Sequence, residues 1–214
     1  MPYMIGCASQ KGGPGKSTID RALAVAFTHA GWNTKVIDLD VRQGTVTSWL
    51  RRRLANNVLP ELHVQMCGSV AAGIAQAGSA DMIIIDGGPQ ATDETVAMAQ
   101  AVNLLILPTG LCLDDLEPTV TLANTLVDKH AIPIERIAFA LNKVGNSEVE
   151  IAAARTYLGK TRFYTLDGEI PDRPGYRTAH DLGRSIIETP YPSLNKRAGK
   201  LVQSAVDRFN ALIG

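Results

Sequence analysis

An α/β fold with a mostly parallel sheet and helices on both faces is predicted by three features of this 214-residue chain. Short apolar runs alternate with amphipathic or alanine-rich segments from end to end. One run, Met82-Ile83-Ile84-Ile85 between Asp81 and Asp86, is uninterrupted, as suits a central parallel strand covered on both faces. The first run leads directly into Lys11-Gly12-Gly13-Pro14-Gly15-Lys16-Ser17-Thr18 and then into a helical pattern. Strand, glycine loop and helix in that order are the context of a phosphate-binding loop.

The elements follow from composition and punctuation. Residues 3–8 read as a buried strand, and 17–30 as a helix whose apolar face includes Ala22, Leu23, Val25, Ala26 and Phe27, stopped by Gly31. Residues 34–39 form a second strand that delivers Asp38 and Asp40 at its carboxyl end. A helix over 45–54 carries Arg51, Arg52 and Arg53; a short strand covers 62–66 and a short helix 70–77. The isoleucine strand covers 81–86 and is followed by Gly87-Gly88-Pro89, with a helix over 92–101. A strand over 104–107 is closed by Pro108, because proline cannot donate to a ladder. A longer helix spans 114–130, a strand 136–141 ends at Asn142-Lys143, a helix covers 148–158 and a short strand 163–166. Residues 170–188 read as loop with a short helix, and 193–213 as a closing helix. No repeat, low-complexity tract or linker divides the chain, so one domain over 1–214 is expected.

Net charge is zero, so bulk electrostatics point to no nucleic-acid partner and only a local patch would serve. Cys7, Cys67 and Cys112 have no metal-ligand spacing and read as small buried hydrophobes in a reducing compartment. No signal-peptide pattern and no apolar run near the ~20 residues of a membrane span occur, so a cytoplasmic location is expected.

In an open parallel sheet, ligands bind beyond the carboxyl ends of the strands. The glycine loop, Asp38 and Asp40, Asp86 and Asn142 all fall at such ends. In the loop, glycines let successive N–H groups face phosphate oxygens, and the helix N-terminus adds partial positive charge. Lys16 would reach the terminal phosphates and Ser17 would ligate Mg2+. Asp86 would hold Mg2+ through water, or simply cap the next turn. Of the two acids after the second strand, one would sit near the metal; Asp40 is the candidate to orient an attacking water. The ordinary pattern places a glycine where this chain has Gln10, and supplies no counterpart of Lys11.

That last departure resembles the deviant Walker A loop of the ParA/MinD family of dimeric P-loop ATPases. Ile37-Asp38-Leu39-Asp40 and Ile83-Ile84-Ile85-Asp86 resemble two further family motifs, and Asn142-Lys143 is similar to its base-contacting asparagine. Ile170-Pro171-Asp172, then Ala179 and Gly183, match its closing segment. The resemblance implies ATP and Mg2+ as cofactors, with Gly12, Gly13, Gly15, Lys16, Ser17 and Thr18 around the phosphates. Asn142, Pro171 and Asp172 would lie at the adenine. It implies that Lys11 crosses a nucleotide-dependent homodimer to touch the partner's ATP, that Lys11, Lys16 and Asp40 carry catalysis, and that Asp40 also lies near the metal. The family usually continues Asp40 with Pro-Gln, whereas this chain has Val41-Arg42-Gln43-Gly44. Asp114 and Asp115 stand where the family has a more proline-rich loop; either would contact the partner's Lys11 or the nucleotide, or cap a helix before Leu116, which is the reading preferred.

Within that family, the chain resembles the small ParA branch, which lacks an N-terminal helix-turn-helix domain. The resemblance implies non-specific DNA binding as the ATP dimer, nucleoid association, and a ParB-like or other cargo adaptor that stimulates hydrolysis. The cargo would be a plasmid, a chromosomal locus or a carboxysome. Residues 173–208 hold seven basic side chains against three acidic ones, and Arg177, Arg184, Lys196, Arg197 and Lys200 are the candidate DNA contacts. Arg51–Arg53 could join them, or could be charge on the helix surface. The closing helix, with Leu201, Val202, Ala205, Phe209 and Leu212 at helical spacing, reads as core-facing rather than as a membrane anchor. Alternatives are a metabolic ATP-dependent enzyme of the dethiobiotin-synthetase type, which would not need Lys11, and a MinD-like division-site regulator. An iron–sulfur reductase is remote, with Cys112 alone to serve it.

Overall fold

A computed structural model describes residues 2–88 and 92–214. Its centre is one parallel sheet in the order β3-β2-β4-β1-β5-β6-β7, with β8 paired to β6. The strands are β1 (Tyr3–Cys7), β2 (Thr34–Asp38), β3 (His63–Met66), β4 (Met82–Asp86), β5 (Leu104–Thr109), β6 (Ile137–Val144), β7 (Tyr164–Thr165) and β8 (Ile170–Pro171). The helices are α1 (Lys16–His29), α2 (Thr45–Ala55), α3 (Val70–Ala75), α4 (Asp93–Ala101), α5 (Leu113–His130), α6 (Glu148–Gly159), α7 (Pro174–Asp181) and α8 (Pro192–Ile213). Pro89, in the turn after the isoleucine strand, lies outside the described residues.

Strand alternation splits the core into two layers. Ile84, Val36, Ile106 and Ala138 face α1, α2, α7 and α8. Their chain neighbours Ile83, Ile85, Ile37, Leu105, Leu107 and Phe139 face α3, α4, α5 and α6. This explains the unbroken apolar runs, because each central strand needs apolar side chains on both sides. The apolar face of α8 is buried as expected through Leu201, Val202, Ala205 and Phe209. Phe209 joins Tyr3, Phe27 and Trp32 in an edge-to-face cluster with centroids 5.6–6.5 Å apart.

Three local expectations are corrected. Pro108 does not close β5 but lies within it, opposite Ala140 of β6. Pairing of β5 with β1 ends at Ile106, so the missing N–H of Pro108 falls past the last bond on that side. β6 runs on through Asn142 and Lys143 to Val144, because β8, a two-residue strand with no sequence signal, pairs there. Cys112 is exposed, unlike buried Cys7 and Cys67, because it caps the surface end of α5.

Arg51–Arg53 do not form a surface charge patch. Arg53 is fully buried and makes a bidentate pair with Glu188, at 2.9 and 2.8 Å. It also donates to the carbonyls of Pro60 and Gly183, both at 3.0 Å. Its guanidinium carbon stands 5.4 Å from the centre of the Trp49 ring. The Trp49 indole N–H donates to the Arg184 carbonyl at 3.0 Å. Gly183 allows this approach: a Cβ there would fall 2.1 Å from the Arg53 backbone nitrogen. α2 is thereby bolted to residues 180–188.

Candidate functional site

The carboxyl ends of β1, β2 and β4 converge on one cavity, and those of β6 and β8 line a second that adjoins it. One, of about 230 Å³, is lined by Gly12, Gly13, Gly15, Lys16, Ser17 and Thr18, with Asp40, Gln43 and Gly87 opposite. The other, of about 310 Å³, is lined by Thr18, Asn142, Pro171, Asp172, Tyr176, Arg177 and His180 among others. Thr18 and Lys143 belong to both walls.

The loop geometry fits a phosphate group. Gly15 has φ 92°, a left-handed value that glycine adopts without penalty. A Cβ on Gly15 would meet the Asn142 amide nitrogen at 2.0 Å, whereas Gly12 and Gly13 border open space. Lys16 is buried and donates to the Ser9 hydroxyl at 2.9 Å. The Ser17 hydroxyl donates to Asp86 Oδ2 at 2.6 Å, which brings together the two residues expected at Mg2+. Asp86 Oδ1 is buried without a partner, and burial raises the Asp86 pKa to about 6. An unsatisfied buried carboxylate oxygen beside a hydroxyl is the donor set that a hard divalent cation, or water bound to it, would complete.

The two acids after β2 have different surroundings. Asp38 is buried away from both cavities and holds the first turn of α2. Its Oδ2 accepts from the N–H groups of Val46 and Thr47 and from the Thr47 hydroxyl, at 3.2, 3.0 and 3.0 Å. It therefore does for α2 what an N-cap does. Asp40 lines the phosphate cavity, and its turn is closed by Gln43 N–H to Asp40 Oδ1 at 3.0 Å and Gly44 N–H to the Asp40 carbonyl at 2.7 Å.

Asn142 is tied to the glycine loop. Its amide nitrogen donates to the carbonyls of Pro14 and Gly15 at 2.8 and 3.2 Å, and its oxygen accepts from the Lys143 N–H at 2.9 Å. The amide braces the glycine loop from the wall of the second cavity. Pro171, Asp172 and Tyr176 line the second cavity with it, and Asp172 is paired to Arg177.

Lys11 lies at the mouth of the site with its side chain 50% exposed. Its ammonium is 2.8 Å from Asp115 Oδ1 and donates to the Asp114 carbonyl at 2.7 Å. That carbonyl is free for a reason written in α5: Pro118, four residues on, has no N–H to return the helical bond. Asp115 also accepts from Cys112 Sγ at 3.3 Å. The expectation that Asp114 and Asp115 cap the helix is corrected, since Cys112 occupies the N-cap and Asp115 holds the lysine of its own subunit. The hydrogen bond from Lys11 holds the Asp115 pKa below its ordinary value.

Sequence reasoning missed Asp20 and Arg21. Both are buried on α1, and both Asp20 oxygens lack a partner. Burial first, then the Asp86 charge, push the Asp20 pKa well above its ordinary value. The available signal was two adjacent charged residues inside an otherwise apolar helical segment.

His180 carries a pH prediction. Burial, then Arg21 and Arg52, push its pKa down to about 3, so the folded protein holds it neutral at pH 7. The unfolded chain takes up this proton near pH 6.5, so below that value it binds more protons than the folded chain. Stability is complete above the unfolded value and falls as pH drops toward 3, by up to about 1.4 kcal/mol per unit. The urea midpoint is expected to fall between pH 7 and 5, with a shallower fall in His180→Gln.

The five candidate DNA contacts do not act as one unpaired patch. Arg177 faces Asp172, and Arg197 pairs with Glu169 at 3.1 Å. Arg184 reaches the Glu188 carbonyl at 3.4 Å. Lys196 and Lys200 on α8 are exposed, with no ion pair among the described residues. Widening the window to 167–208 adds Asp167, Glu169 and Asp172, leaving seven bases against six acids.

No helix among the described residues is long and apolar enough to cross a membrane. No curated protein matches the chain by sequence. Solved structures do match over nearly their whole length. The cell division ATPase MinD of Pyrococcus furiosus has a TM-score of 0.74 at 20% identity, covering 97% of this chain and 99% of that one. A protein of Borrelia burgdorferi assigned to plasmid partition, solved with AMPPNP, gives 0.73 at 15% identity and covers 100% of both chains. Apo McdA from Cyanothece gives 0.71 at 18% identity, covering 96% and 100%. These likenesses establish the fold. The model of the CobQ/CobB/MinD/ParA nucleotide-binding domain matches residues 5–186, from β1 to the segment that anchors α2, and the chain belongs to that family.

Proposed function

We propose that this protein is an ATPase that dimerises around ATP and Mg2+ and positions a cargo, in the manner of the small ParA proteins. The observation that carries this reading is Lys11. It stands exposed at the cavity mouth, held by groups of α5 rather than by its own phosphate loop. A cation in that place suits a phosphate belonging to a second subunit, and it has no use in a site that works alone. Supplied across the interface, it offsets charge developing on the terminal phosphate, as an arginine finger does.

Gly12 to Thr18 cradle the phosphates, with Lys16 at the terminal ones. Ser17 and Asp86 hold Mg2+, Asp86 through water, and the metal supplies neutralisation of phosphate charge. Asp40 orients water. Its turn is drawn tight by two hydrogen bonds, so its carboxylate has a defined place despite the altered loop sequence. DNA binding, where it occurs, rests on Lys196, Lys200 and Arg184, doubled by dimerisation. A ParB-like or other adaptor stimulates hydrolysis and ends the dimer state.

The test is an electrophoretic shift on DNA of arbitrary sequence with ATP, ADP or neither, repeated across salt. Binding with ATP alone, falling steeply with salt, is the expected result. Equal binding with ATP and ADP, or none with ATP at low salt, removes DNA from the mechanism. Light scattering in the same samples then shows whether dimerisation survives without it.

A further inference from the structure

Arg21 is a buried cation. It lies on α1 four residues beyond Ser17 and is 4% exposed, in the wall that Lys16, Asp40, Gln43 and Thr45 share. Its Nη2 donates to the Thr45 carbonyl at 2.7 Å, and its guanidinium carbon stands 5.4 Å from the Trp49 ring centre. Its Nε is buried without a partner. Burial lowers its pKa to about 10, which leaves it charged at neutral pH. Holding a cation in the core is costly unless its bonds are used.

The position of Thr45 gives that cation a use. Thr45 is the first residue of α2 and follows directly on the turn that Asp40 closes. On its other side the first turn of α2 is fixed by Asp38. Arg21 therefore ties the helix bearing Lys16 and Ser17 to the loop bearing Asp40. A rigid, planar guanidinium stacked on Trp49 holds that spacing more firmly than a flexible ammonium would.

We infer that Arg21 is a positioning residue for hydrolysis, fixing Asp40 relative to the phosphate that Lys16 holds by anchoring Thr45 to α1. This rests on the ATPase reading above. It is a role in the water step, so it acts on turnover and leaves nucleotide affinity alone.

The experiment compares the unmodified protein with Arg21→Lys, Arg21→Gln and Asp40→Ala, and with each Arg21 change combined with Asp40→Ala. Binding of the fluorescent analogue mant-ATP with Mg2+ and steady-state ATP turnover are measured for each. Trp49 emission in a Trp32→Phe background reports the packing of α2. Expected are mant-ATP affinity within about threefold of the unmodified protein and kcat at least tenfold lower for a folded Arg21 variant. No further fall in kcat is expected when Asp40 is already alanine. A kcat within twofold of the unmodified protein, or an equal fall in the Asp40→Ala background, overturns the inference. Unfolding of both Arg21 variants also overturns it, by making the residue a core tie alone. Failure of the unmodified protein to bind mant-ATP sinks the nucleotide reading itself, and this inference with it.

Discussion

Lys11→Ala is expected to abolish ATP-dependent dimerisation while leaving ATP binding to the single subunit almost unchanged. The free subunit does not use Lys11 to shape the phosphate cavity; Lys16, Ser17 and the loop glycines do that. What Lys11 does use is a place on α5, where Asp115 and the carbonyl released by Pro118 share its ammonium. In the proposed dimer, moving across to a second subunit would mean leaving those partners, and the two states would compete for one side chain. Asp115→Ala is expected to shift the balance the other way and lower the ATP concentration at which dimers form. Both partners are partly exposed, so the effect is modest and weakens with salt. Analytical ultracentrifugation against ATP concentration measures both variants. Dimers of Lys11→Ala at ordinary ATP concentrations would show that the lysine does not act across the interface.

The second large effect concerns stability. Glu188→Gln leaves the Arg53 charge buried with half its bidentate partner gone. Removing one member of a buried pair costs about 3–5 kcal/mol. At this chain length that corresponds to a fall of roughly 10 °C in thermal midpoint. The double change Arg53→Met with Glu188→Leu is expected to recover part of the loss, because replacing both charges by apolar groups removes the penalty of a lone ion. It will not recover all of it, since Arg53 also serves the carbonyls of Pro60 and Gly183. Calorimetry on the single and double variants separates these contributions. A loss below about 1 kcal/mol for Glu188→Gln would mean that water reaches the pair.

The sequence by itself determined the sheet, its two covered faces and the phosphate loop. Each is a local or periodic property: alternating apolar runs, glycines where the backbone must turn, a lysine and a serine opening a helix. It also determined which strand ends carry chemistry, because parallel strands bring their carboxyl ends to one edge. Only the tertiary structure decided what the polar residues at that edge do. Asp38 and Asp40 are two residues apart and read alike, yet one holds α2 and the other faces the cavity. Arg53 reads as surface charge beside Arg51 and Arg52, and is buried because Glu188, far along the chain, meets it. Asn142 reads as a base contact, and its hold on the loop at Gly15 is not written in the sequence. Lys11 stands out in the sequence, but its holder on α5 does not, since that depends on a carbonyl left open by Pro118. The common reason is that charge and hydrogen-bond capacity are satisfied by whichever partner the fold brings within about 3 Å, and sequence spacing carries no information about partners a hundred residues away.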